Sequence, residues 1–301
     1  GGGATPPTLP GTYAVEATLD DPNHSGAAMD TLTIGITALV RHAPTLNGGL
    51  DGSLQVLNAE NIILNGSAWI SGDLLVPGTP QLKLNGHPSY GGTLDAAGAS
   101  TPAGSYAVTL NGNALLRHVV RRVDPIAWPA VDAPPAPAGT VNVTLNHAGQ
   151  NVGDWSTLRN LTLNGNAGVR AVPPGAYGVL TANGNGGFIL GIAGASEPAV
   201  YALQGLVING NASVQVVGPV VLTLAGGVTL NGTVGSSAHP AWLLLRVASG
   251  GVTLNGNVAL HGTVIAPSGA VVINGNSTVH GEVRSDRLTL NGNAELIAPE
   301  N

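Results

Sequence analysis

The chain has 301 residues, of which 43% are hydrophobic, 9% charged and 3% aromatic, with 45 glycines and a net charge of −6. A single lysine, Lys83, and nine scattered arginines give no basic stripe, which excludes nucleic-acid binding. No apolar run of about 18 residues exists, so no membrane-inserted helix is expected, and with no cysteine there is no disulfide framework.

Residues 1–45 lack the pattern that fills the rest of the chain and read as an N-terminal extended arm or cap. Gly1 to Gly11 is rich in Gly and Pro and reads as extended chain. Tyr13–Leu19 alternates as a strand, Asp20-Asp21-Pro22-Asn23 makes a turn, and Thr31–Val40 reads as a second strand. The chain starts on Gly1 rather than Met, so a removed leader and secretion are expected.

Residues 46–301 are variations on one phrase, Leu-Asn-Gly, from Leu46-Asn47-Gly48 to Leu290-Asn291-Gly292. Asn65, Asn85, Asn111, Asn164, Asn183, Asn209, Asn231, Asn255 and Asn274 also precede a glycine, 17–26 residues apart but for one gap of 53. That gap holds a degenerate copy, Leu145-Asn146-His147, and so spans two units. A period of this length repeated about twelve times predicts an all-β parallel β-solenoid, expected to be a right-handed β-helix. Val252 and Leu254 alternate before the Asn-Gly pair, and Val258, Leu260 and Val264 after it. This is strand patterning interrupted by a corner, because Asn and Gly both tolerate positive φ. Stacked in register, Asn65, Asn85, Asn111, Asn164, Asn183, Asn209, Asn231, Asn255, Asn274 and Asn291 are expected to form a ladder of side-chain amides.

Two stretches interrupt the coils. Residues 87–106 read as a longer loop with two tyrosines. Residues 124–139 hold five prolines and read as a polyproline-like insertion lying on the outside. The last strand, Ala294–Ala298, has no capping helix behind it. It is therefore expected to present an open edge for self-association, together with the N-terminal arm.

The run Leu260-His-Gly-Thr-Val-Ile-Ala-Pro-Ser-Gly-Ala-Val-Val-Ile-Asn-Gly-Asn resembles the β-solenoid domains of bacterial surface and pilus-associated proteins. The likeness covers roughly residues 205–297. It implies a secreted, surface-exposed part and carries no catalytic residues.

For chemistry, the densest cluster is Arg117, His118, Arg121 and Arg122, close in sequence to Trp128. Guanidinium forks suit carboxylates or sulfates and an indole face suits a sugar, so these residues are a candidate site for an acidic polysaccharide. The competing reading pairs the arginines with Asp124, Asp132 and backbone carbonyls to pin the insertion. A polysaccharide lyase or hydrolase needs paired carboxylates or an Asp cluster holding calcium. From Leu163 to Val279 the only acidic residue is Glu197. His261 and His280, each before a glycine and 19 residues apart, are expected to stack on adjacent coils without a third metal ligand. No cofactor is expected. The reading is a non-enzymatic extracellular structural protein, a scaffold or adhesin that assembles end to end into filaments or a surface layer. Polysaccharide binding and polysaccharide cleavage are the alternatives.

Overall fold

A computed structural model describes residues 11–21, 23–95, 103–121 and 127–299. Arg122 and Asp124 of the predicted cluster, and residues 1–10 of the predicted arm, lie outside the described residues. Two units divide between Ile36 and Thr37. The boundary therefore falls earlier than residue 45, because Ala38–Val40 and Thr45–Leu46 already pair as solenoid strands. The first unit is an antiparallel hairpin of Gly11–Asp21 with His24–Ile34, in register from Gly11 opposite Ile34 to Asp21 opposite His24.

The second unit is a parallel β-solenoid, with no α-helix among the described residues. Its core is best followed along the inward residue just before each corner. Leu145, Leu163, Ala182, Ile208, Leu230, Leu254, Ile273 and Leu290 stack in chain order. Leu290 then pairs with Leu46, and the column continues through Leu64, Leu110 and Leu84. This makes twelve rungs, with every member but Leu84 buried. Alternation explains the column: residues at period two share one face, so one register shift would turn each leucine outward.

The order of the rungs is not the order of the chain. The first coil, residues 38–50, sits between the last coil, 283–297, and the second, 54–70. Glu295 and Leu296 pair with Gly49 and Leu50, and Val283–Ser285 with Ala38–Val40. The expected open edge on the last strand is thus a correction: the chain's own first coil covers it, completing the ladder that a bare final coil would leave unpaired. A second exchange lies at the far end. Ala103–Gly112 slots between Ile62–Leu64 and Thr79–Gly86, so the earlier strand is the outer one. Residues 87–106 are accordingly more than a loop, since Ser89–Tyr90 and Thr93–Leu94 pair with Leu115–Arg121.

This permutation explains the proline-rich insertion. After Arg121 the chain stands near one end of the column and must restart at Val141, at the other. Trp128 lies on Arg41, while Gln204 donates to the carbonyls of Pro134 and Pro135. Five rungs separate those two anchors, about 24 Å at about 4.8 Å per strand spacing. Six or seven residues reach that far only when extended, at about 3.1–3.4 Å each. Proline, with φ fixed and no N–H to satisfy, suits such a strap. Extending the ladder registers by one or two residues places Ala225, Ala248, Pro267 and Asp286 in the row between Gln204 and Arg41.

Candidate functional site

The corner Asn residues bond amide to amide from rung to rung in two runs, one ending on Asn255 and the next starting from Asn231. Asn85 Nδ2 donates to Asn111 Oδ1, Asn111 to Asn65, Asn65 to Asn47, and Asn47 to Asn291. Asn291 donates to Asn274 and Asn274 to Asn255, while Asn231, Asn209, Asn183 and Asn164 each donate to the next, ending on Asn146. Every one of these bonds, 2.9–3.4 Å long, points toward the 141–147 end. A parallel row joins Asn293, Asn276 and Asn257. The positive φ belongs to the glycines alone, for instance Gly165 at 47° and Gly275 at 73°, because no described residue other than glycine has φ above zero. The asparagines are there for their amides.

Arg117 and His118 are on one strand, and both reach Asp73, which is 0% exposed. Arg117 Nε and Nη2 donate to Asp73 Oδ1 and Oδ2 at 2.8 and 2.7 Å, and His118 Nδ1 is 2.9 Å from Oδ1. The Asp73 N–H donates to Ser53 Oγ at 3.1 Å. The hydrogen bonds to Asp73 hold the Arg117 guanidinium above its usual range. Arg121 makes a two-pronged contact with Asp95 and also donates to Thr79 Oγ1 at 3.2 Å. Among the described residues Arg117 thus holds Asp73 and Arg121 holds Asp95. Trp128 stacks on Arg41 at 4.5 Å, three rungs from the strand end at Arg121.

Trp128 leads to a second cluster that sequence reasoning did not find. Where the first, second and last coils meet, His42 Nδ1 is 2.7 Å from Glu60 Oε1, and His42 Nε2 is 3.9 Å from Asp286 Oδ1. Ala43 N–H donates to Glu60 Oε2 at 2.9 Å, and Arg41 Nη1 is 3.1 Å from Asp286. Glu60 is held below its ordinary range, first by the Ala43 N–H and then by His42. Only the coil permutation brings residue 286 beside residues 41–60. Chemically this is a clasp, since Arg41 faces Asp286 and His42 lies between Glu60 and Asp286 across the rungs.

His261 and His280 stack on adjacent rungs, with centroids 4.7 Å apart and ring planes 20° apart. His261 Nδ1 is buried without a hydrogen-bond partner, and burial, then the neighbouring His280, push its pKa down from 6.5. A depressed folded pKa means stability present above the unfolded value and lost as pH falls through the folded one. Thermal melting is therefore expected to weaken first below about pH 6.5 as His261 is forced to charge. A second loss follows below 4.5, as Glu60 protonates. His261→Asn should flatten the first step and Glu60→Gln the second, in melting curves taken across pH. Identical pH profiles for the variants and the parent would contradict this.

A family model described as an MBG domain matches residues 1–38. MBG domains occur in surface proteins, which agrees at the level of class with the resemblance read from the later coils. No curated protein matches the chain, and no solved structure matches it. Among the described residues, no helix is long and apolar enough to cross a membrane.

Proposed function

We propose that the chain serves as a rigid extracellular scaffold or adhesive element, and that it works by holding a shape rather than by catalysis. The observation that carries this reading is the unbroken backbone-paired column of twelve rungs, flanked by two runs of bonded corner amides. A backbone paired on both sides at every inner rung resists bending and local opening, which is what a spacer or display surface needs. The charge pairing supports the same reading. Asp73, Asp95, Glu60 and Asp286 face arginine or histidine, whereas a glycosidase keeps its carboxylates for substrate. The MBG match at residues 1–38 supports a place at the surface.

Polysaccharide binding by Arg117 and Arg121 would require both guanidinium forks to leave carboxylates they already hold. Retention on an immobilised acidic polysaccharide is thus expected to be the same for the parent and for Arg121→Ala with Trp128→Ala. Prolonged incubation with uronic-acid polymers is expected to release neither reducing ends nor unsaturated products. Retention lost in the double variant would revive the binding site. Product release would overturn the scaffold reading itself.

A further inference from the structure

The two ends of the column are unlike each other. At one end the outermost strand is Thr79–Gly86, which among the described residues pairs with Ala103–Gly112 alone. Its inward side chains, Leu82 and Leu84, are 37% and 49% exposed, although their partners one rung in, Val108 and Leu110, are fully buried. Leu84 occupies the position whose carbonyl, in other rungs, accepts from the next corner: Asn65 N–H donates to Leu46 O and Asn183 N–H to Leu163 O. Asn85 gives its amide N–H to Asn111, and no described residue donates to its Oδ1. This end leaves the Leu84 carbonyl and Asn85 Oδ1 as acceptors at the corner, over uncovered leucines.

At the opposite end the outermost strand is Val141–His147. Its corner Asn146 accepts from Asn164, which leaves the Asn146 amide N–H as the donor at the end of the ladder. The backbone N–H groups of Asn146 and His147, which would otherwise seek a carbonyl beyond the end, both donate to Gln150 Oε1, at 2.5 and 2.9 Å. Leu145 is only 2% exposed. Gln150 takes the place of the carbonyl that a further rung would supply.

We propose that these ends bind one another between copies of this chain, head to tail, and that Gln150 is the plug that holds the contact weak. In the complex Thr79–Gly86 of one copy pairs in parallel with Val141–His147 of the next, with Leu82 opposite Val143, Leu84 opposite Leu145 and Asn85 opposite Asn146. The Leu84 carbonyl displaces Gln150 Oε1 from Asn146 N–H, and the Asn146 amide donates to Asn85 Oδ1. The occupant is a second copy because the polarity allows no simpler match. The corner side-chain amides all point one way, so two 79–86 ends would bring one Asn85 Oδ1 against another, while the head-to-tail contact repeats the geometry of the internal rungs. An interface of this kind does not close on itself and grows into filaments. This deepens the scaffold reading and rests on it, with the contact moved from the covered last coil to the two true ends.

The test is sedimentation of the full chain across a concentration series, with electron microscopy of the same samples. Gln150→Ala is expected to tighten self-association about tenfold, the scale of one lost competing hydrogen bond, and to lengthen the filaments. Leu84→Asp and Val141→Asp change residues that are 49% and 44% exposed, so each variant is expected to fold and to remain single. Mixing those two variants should give heterodimers and nothing longer, because each retains one working end. Unchanged sedimentation of Gln150→Ala would overturn the proposal. So would dimers of Val141→Asp alone, which would mean that two 79–86 ends meet. Single particles that release no polysaccharide products would refute the assembly and leave the scaffold reading standing.

Discussion

A chain cut inside the strap, at a protease site placed after Ala133, is expected to stay in one piece. The cut leaves four rungs on one fragment and eight on the other. What then joins them is the seam between the first coil and the last. That seam pairs Val283–Ser285 with Ala38–Val40, Thr289 and Leu290 with Thr45 and Leu46, and Glu295 and Leu296 with Gly49 and Leu50. Separation would uncover part of Val40, Leu46 and Leu50, each of which contributes about 1.5–3 kcal/mol when fully buried. It would also break the Arg41–Asp286 and Asn47–Asn291 contacts. Gly48 is the place to break the seam, because a Cβ there would lie 2.2 Å from the Ala294 carbonyl oxygen. Gly48→Val should release the two fragments from the cut chain on size exclusion, while the uncut variant stays tethered by its strap and melts lower. Fragments that part in the cut parent chain would refute the rung order.

Asp73→Asn should cost about 2–4 kcal/mol in chemical denaturation. Asp73 is fully buried, and the variant removes the carboxylate charge between Arg117 and His118 and puts an amide NH2 where one acceptor oxygen stood. Breaking a buried pair on one side typically costs about 3–5 kcal/mol. The expectation here is lower because Arg117 is 37% exposed and regains water. Replacing both partners, Asp73→Leu with Arg117→Leu, should recover much of the loss, since it removes the orphaned charge as well as the bond. A single substitution that costs less than about 0.5 kcal/mol, the range of ordinary surface changes, would show that Asp73 is not holding this corner.

The competing readings of the arginine cluster differ in how legible they were. That Arg117, His118 and Arg121 crowd together was plain from their spacing. That Asp73 and Asp95 would answer them was not, because those carboxylates come from strands paired only through the exchange of Thr79–Gly86 with Ala103–Gly112. The clasp of Arg41, His42, Glu60 and Asp286 was hidden more completely. No local pattern joins the two ends of the repeat array, and adjacency of its first and last coils is a property of the stacked object. The degenerate corner at Leu145-Asn146-His147 was legible and takes its place in the column, since one lost glycine does not disturb the alternation of Val143 and Leu145.

By itself the sequence determined the rung: two-residue alternation, the corner phrase, the column of aliphatic side chains and the row of amides all follow from spacing within one coil. It also determined that residues 124–139 could not be another coil, since proline has no N–H to give the ladder. Only the tertiary structure decided the order in which rungs stack. Each rung offers nearly the same edge to its neighbours, so local pairing energy does not distinguish a successor in the chain from a distant coil. The length of the strap, the fit at Gly48 and the charges at residues 41, 42, 60 and 286 distinguish them, and those are relations among coils. The same indifference of the edge underlies the proposed head-to-tail contact between the two ends.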